Sequence, residues 1–203
     1  MSPTRLLAGL LLVLTAACGA VDEPETVRPL VGAELVDALR DGGHVLYLRH
    51  TRTPEDVEDQ PDPLGDCSRQ RLLDDVGRAD ARALGEAVRA LDVPVGEVLA
   101  SPFCRTVETA ELAFGRVTTE EGLLTPTPET RGRTTRGLRQ LLSTEPDDGE
   151  NTVLVGHLTN LQLLSTASPD EGGTVVFRPD GEGFSLVGQV PPQGWQELAR
   201  RGA

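Results

Sequence analysis

Three short, mainly apolar runs, each cut off abruptly by polar residues, constrain this chain more than any other feature. Val45-Leu46-Tyr47-Leu48 stops at Arg49-His50. The run at 95–100 passes into Ser101-Pro102, and the run at 152–155 ends in Gly156-His157. Runs of four to six mainly apolar residues have the length of buried strands. Amphipathic helical patterns separate them, and strands alternating with helices imply a sheet covered on both faces. The expected fold class is α/β, a three-layer α/β/α sandwich with a mostly parallel central sheet. In such a sheet the carboxyl ends of the strands share one edge, so groups far apart in sequence can converge there.

The intervening helices are legible from spacing. Leu35, Val36 and Leu39 lie on one face of a helix at 33–40, which Asp41-Gly42-Gly43 ends. Leu84, Ala87, Val88 and Leu91 define a helix at 75–91, with Arg78, Arg82 and Arg89 pointing elsewhere. Ser101 and Pro102 read as N-cap and first residue of the next helix, whose stripe is Phe103, Val107, Ala110 and Phe114, with Gly115 closing it. The pattern is weak at 116–130. Helices are expected at 134–142 and 159–164, two strands at 175–178 and 184–189 around Pro179-Asp180-Gly181, and a last helical turn or two at 195–200.

The amino terminus reads as an export signal over residues 1–17. Arg5 supplies the positive charge, an apolar run at 6–14 is too short to span a bilayer, and Thr15-Ala16-Ala17 is a small-residue cleavage region. With Cys18-Gly19 following, the segment resembles a bacterial lipoprotein signal, which implies lipid on Cys18; an ordinary cleaved signal followed by a chance cysteine is the alternative. Residues 18–30 hold Pro24, Pro29 and acids and read as a tether. Residues 31–203 then form one domain. The expected location is outside the cell, anchored to the outer face of the bacterial membrane by lipid alone.

Charge narrows the partners. The chain holds 32 Asp and Glu against 19 basic residues, all of them arginine, for a net charge of −13. A nucleic-acid binder would show a basic face instead. An anionic substrate would need a local arginine cluster to overcome the overall field. The polar strand ends provide one. Arg49-His50 follows the first run, and Arg105 sits near the start of a helix, where free backbone N–H groups favour an anion. His157 follows the third run. Forked arginines suit a phosphoryl group. The loop at 51–66 is rich in acid and proline, and a long polar loop after such a strand has the character of a functional element.

Taken in order, these motifs resemble the histidine phosphatase superfamily, of phosphoglycerate-mutase-like fold. Arg49-His50 matches its Arg-His-Gly motif, with Thr51 in place of glycine and Thr53 at the Ser/Thr position. Ser101 through Arg105-Thr106 and Thr109-Ala110 match its Ser-x-x-x-Arg-Thr-x-x-Thr-Ala helix start, and Gly156-His157 its second histidine. The resemblance covers roughly residues 33–164. It implies that His50 attacks phosphorus to form a phosphohistidine, that Arg49, Arg105 and His157 hold the phosphoryl oxygens, and that water completes the hydrolysis. It implies a small phosphorylated substrate and no cofactor. His44, at the other end of its strand, reads as a surface residue.

The family also uses a carboxylic acid to protonate the leaving oxygen. Pro126 and Leu158 occupy the places where the two branches would carry one. Glu120, Glu121 and Glu171 are candidates by proximity, although each reads more simply as a solvated surface acid. A non-catalytic phosphoryl-binding lipoprotein on the same fold is therefore the alternative function. Cys67 and Cys104 have no metal-ligand spacing. In an oxidising compartment they can form one disulfide, which would tie the loop after His50 to the phosphate pocket, or remain two buried thiols.

Overall fold

The structure, a computed structural model, describes residues 28–202. The expected signal, most of the tether and Cys18 lie outside the described residues. A six-stranded mixed sheet carries helices on both faces. Its strands are β1 (Val45–Arg49), β2 (Val95–Ala100), β3 (Thr118–Thr119), β4 (Asn151–Gly156), β5 (Thr174–Pro179) and β6 (Phe184–Val190), in the order β3-β2-β4-β1-β5-β6. The helices are α1 (Gly32–Arg40), α2 (Asp75–Ala90), α3 (Cys104–Phe114), α4 (Arg131–Ser143), α5 (Leu158–Leu161) and α6 (Gly194–Arg201). The α/β expectation holds.

Side chains alternate across the sheet as a period of two requires. Leu46, Leu48, Val153, Val155 and Val176 face a core built with α1, α2, α3 and α6. Val45, Tyr47, Leu154, Val175 and Phe177 face the opposite core, closed by α4 and α5. Leu138 and Leu142 of α4 are fully buried, and truncating such a leucine costs about 2–5 kcal/mol. Helices α2 and α3 pack closely through Gly85, where a Cβ would lie 1.9 Å from the Ala113 carbonyl oxygen.

Two features of the sheet position the site. First, β4 lies between β1 and β2, with Arg49 opposite Gly156 and Ala100 opposite Val155. The amide of His50 donates to Gly156 O and that of Ser101 to Val155 O. His50, His157 and Ser101 thus leave one edge side by side. Second, β5 runs antiparallel to β1, with Thr174 opposite Leu48. The segment before β5 therefore arrives at that same edge. Gly172 N–H meets Arg49 O and His50 O, and Arg49 N–H donates to Gly173 O.

Several local expectations shift. Helix α3 begins at Cys104 with Phe103 as N-cap, so Ser101 does not cap it; the Ser101 hydroxyl bonds a histidine instead. The strand β3 is two exposed residues long and carries no apolar signal. Helix α5 is a single turn. His44 is 5% exposed and is a buried residue.

Candidate active site

The carboxyl edge of the sheet gathers Arg49, His50, Arg105 and His157. His50 is 2% exposed, and His157 and Arg105 are each 4% exposed. The two imidazole centroids are 5.6 Å apart. His50 Nδ1 lies 2.9 Å from the Thr51 carbonyl oxygen. A carbonyl only accepts, so Nδ1 carries the proton and Nε2 keeps its lone pair. Burial pushes the His50 pKa down to about 4, with the Arg105 and Arg49 charges adding to the effect. The ring is therefore neutral near pH 7. His157 is pushed well down by burial and then by Arg105. His157 Nε2 is 3.0 Å from Ser101 Oγ.

The tyrosine of β1 fixes the second histidine. Tyr47 Oη accepts the His157 amide at 3.0 Å, and its proton is shared between His157 O at 2.9 Å and Asn160 Oδ1 at 3.0 Å. Gly156 admits the phenol, since a Cβ there would stand 2.1 Å from Tyr47 Oη. Thr51, in the position of the motif's glycine, is buried; its N–H donates to Thr109 Oγ1 at 3.2 Å.

Both arginines are held by their terminal nitrogens. Arg49 Nη1 donates to Pro169 O at 3.1 Å and Nη2 to Glu171 Oε1 at 3.4 Å. Arg105 Nη1 donates to Asp59 Oδ1 at 3.1 Å, and its guanidinium lies 4.4 Å over the Phe103 ring. In each case Nε–H is buried without a partner. Unpaired buried donors are rare and call for an explanation. Here they are two cationic N–H groups on side chains that flank a neutral histidine.

Glu171 departs from the surface reading. Its side chain is 18% exposed. It accepts from Thr53 N–H at 2.9 Å and Thr53 Oγ1–H at 3.0 Å, and its Oε1 lies 4.0 Å from both His50 Nδ1 and Arg71 Nη2. Glu120 instead accepts the Gly122 amide of a 3-10 turn, and Glu121 lies 4.0 Å from Arg133 on exposed surface. Neither bonds to the site. Sequence reading missed Asp59, which lies among other acids of one loop. Cys67 and Cys104 are joined in a disulfide. No group of three or more potential metal ligands occurs among the described residues.

Residues 45–124 match the family model of the Histidine phosphatase superfamily (branch 1). That stretch carries Arg49, His50 and Arg105; the fold adds His157 and Glu171 from beyond it. No curated protein matches the chain. Among solved structures, the protein histidine phosphatase SixA complexed with tungstate is 18% identical, with a TM-score of 0.53 over 73% of this chain and 97% of that one. A mycobacterial glucosyl-3-phosphoglycerate phosphatase with inorganic phosphate is 16% identical, with a TM-score of 0.55 over 75% and 99%. A phosphoserine phosphatase from Entamoeba histolytica with phosphoserine is 13% identical, with a TM-score of 0.51 over 74% and 98%. At these identities the likeness establishes a phosphoglycerate-mutase-like fold. The family match, joined to that fold, supports a phosphatase.

Proposed function

We propose that this chain hydrolyses a phosphomonoester or phosphoramidate through a phosphohistidine on His50. One observation carries the reading: a buried neutral histidine with Nδ1 tied to a carbonyl, flanked by two arginines whose Nε–H groups are buried and unpaired. Nε2 of His50 attacks phosphorus; the N–P bond forms as the bond to the leaving group breaks. Charge building on the phosphoryl oxygens is met by Arg49, Arg105 and His157. Water then cleaves the N–P bond and releases phosphate.

Leaving-group chemistry follows from the two carboxylates that touch the site. Glu171 is engaged by Thr53 and Arg49, and Asp59 by Arg105 and the Arg71 amide. In all of these contacts the carboxylate oxygens are acceptors. With both carboxylates committed to these contacts, the site suits leaving groups that need no proton from the enzyme: a phosphoramidate nitrogen, which takes its proton from water before it departs, and acidic alcohols before alkyl alcohols. The relatives' names point to small phosphorylated metabolites or phosphohistidine as sources.

Quenching with SDS at mildly alkaline pH after reaction with labelled substrate should trap a phosphoryl group on His50 that survives base and is lost in acid. Label on serine or threonine would reject the mechanism. Vanadate binding without turnover of any phosphoramidate or phosphomonoester would favour a binding protein. For location, the proposal is a lipid anchor at Cys18 on the outer face of a bacterial membrane. No helix among the described residues is long and apolar enough to cross a membrane. Cys18→Ala should move the protein out of the membrane fraction, and unchanged fractionation would refute the anchor.

A further inference from the structure

Asp59 stands where a strap of chain, residues 59–71, meets the buried Arg105. Its Oδ1 accepts Arg105 Nη1–H at 3.1 Å and the Arg71 amide at 2.8 Å. The strap is closed on itself: Gln60 N–H donates to Arg69 O at 2.8 Å, and Gln70 Nε2 to Pro63 O at 3.0 Å. It is also fastened to the first residue of α3, because Cys104 N–H donates to Gln70 Oε1 at 2.7 Å and Cys104 is bridged to Cys67. Arg105 is the next residue. The carboxylate and the guanidinium it holds are thus anchored to the same short stretch of chain.

We propose that Asp59 is the positioning residue for Arg105, fixing the guanidinium by Nη1 so that Nε–H is presented to the phosphoryl group. This rests on the reading of Arg105 as a phosphoryl ligand. Two features separate positioning from blockade. Asp59 takes one terminal nitrogen and shares that oxygen with a backbone amide, and the Nε–H edge stays unpaired. Burial also costs the Arg105 cation hydration, which a neighbouring carboxylate offsets. Without Asp59, Nη1 would keep only the Arg71 carbonyl, at 3.5 Å, and the guanidinium, its plane still set by the Phe103 ring, would be free to turn within that plane.

Vanadate affinity, measured calorimetrically on the oxidised protein, tests this together with kcat and KM for a phosphoramidate. Asp59→Ala should weaken vanadate binding about tenfold to a hundredfold, the worth of one hydrogen bond to a charged group, and raise KM as well as lower kcat. Asp59→Asn should restore most of the lost affinity, because its amide oxygen still accepts both N–H groups. Thermal melts of all variants identify any that fail to fold; Asp59→Asn carries the test in that event, its near-normal affinity being required. Tighter vanadate binding by Asp59→Ala would make Asp59 a competitor of phosphate and overturn the proposal. So would a loss confined to kcat, equal in Asp59→Asn and absent for aryl phosphates, which marks a proton donor. Arg105→Ala is the control. If it weakens vanadate binding and Asp59→Ala does not, positioning alone is wrong; if it changes nothing, the phosphoryl reading of Arg105 fails and this inference with it.

Discussion

His44 precedes β1 and His50 follows it, and the two rings are buried to a similar degree, 5% and 2% exposed. Burial lowers the pKa of both. Their surroundings differ. His44 lies by the Gly42 backbone, with Arg178 and Asp41 as its nearest charges. His50 has one nitrogen committed to Thr51 O, a second histidine 5.6 Å away, and Arg49, Arg105 and Glu171 as charged neighbours. Burial makes a neutral imidazole anywhere in a core. A committed tautomer and cations ready for developing negative charge are what distinguish a nucleophile's place, and only the carboxyl edge of the sheet supplies them.

The largest test of this contrast is substitution at each end. His50→Ala should abolish turnover, by about a thousandfold or more, because a covalent route has no substitute for its nucleophile. His44→Gln should leave kcat/KM within a few-fold while costing roughly 1–3 kcal/mol of stability, as buried polar changes do. Equal loss of activity in the two variants would erase the distinction. A smaller effect is expected from the strap. Replacing Cys67 and Cys104 with serine opens a link across 37 residues of sequence. Loop-closure entropy puts that at roughly 3–4 kcal/mol, read as a lower urea midpoint. Phosphoryl affinity should weaken in the same variant. An unchanged midpoint would show that the strap is held by its hydrogen bonds alone.

The subtlest test is titration. Imidazole NMR should give His50 a midpoint near 4 rather than 6.5, and a midpoint near 6.5 would contradict the burial argument. The sign for stability follows. Between pH 6.5 and about 4 the unfolded chain binds a proton at this position that the folded chain refuses. Stability therefore falls as pH drops through that window and is unaffected by His50 above it. His44 and His157 shift in the same direction. In His50→Ala the acid-side loss should shrink.

Much of this is legible in the amino-acid sequence, for reasons that can be named. Strands β1, β2 and β4 are short runs with a mainly apolar end, and α2 carries a regular stripe, so period and length identify them. Arg49, His50, Arg105 and His157 sit at the ends of those runs. What periodicity does not encode is direction. An antiparallel β5 has the same alternation as a parallel one, yet its reversal is what delivers Glu171 to His50 from 121 residues away. Asp59 was hidden for another reason. It is one acid among several in a loop, and only the three-dimensional path of the strap selects it. Ser101 was misassigned because serine before proline signals a helix cap locally, while the tertiary partner of its hydroxyl was the ring of His157.

Tyr47 gives the site a built-in observer. Its hydroxyl accepts the His157 amide, so that N–H is shielded by a side chain from the neighbouring strand rather than by a ladder bond. Deuterium can replace this proton only when the Tyr47 hydroxyl lets go of it. Its exchange rate therefore clocks how often the His157 backbone comes free of the strand that leads to His50, in protein carrying no substrate at all.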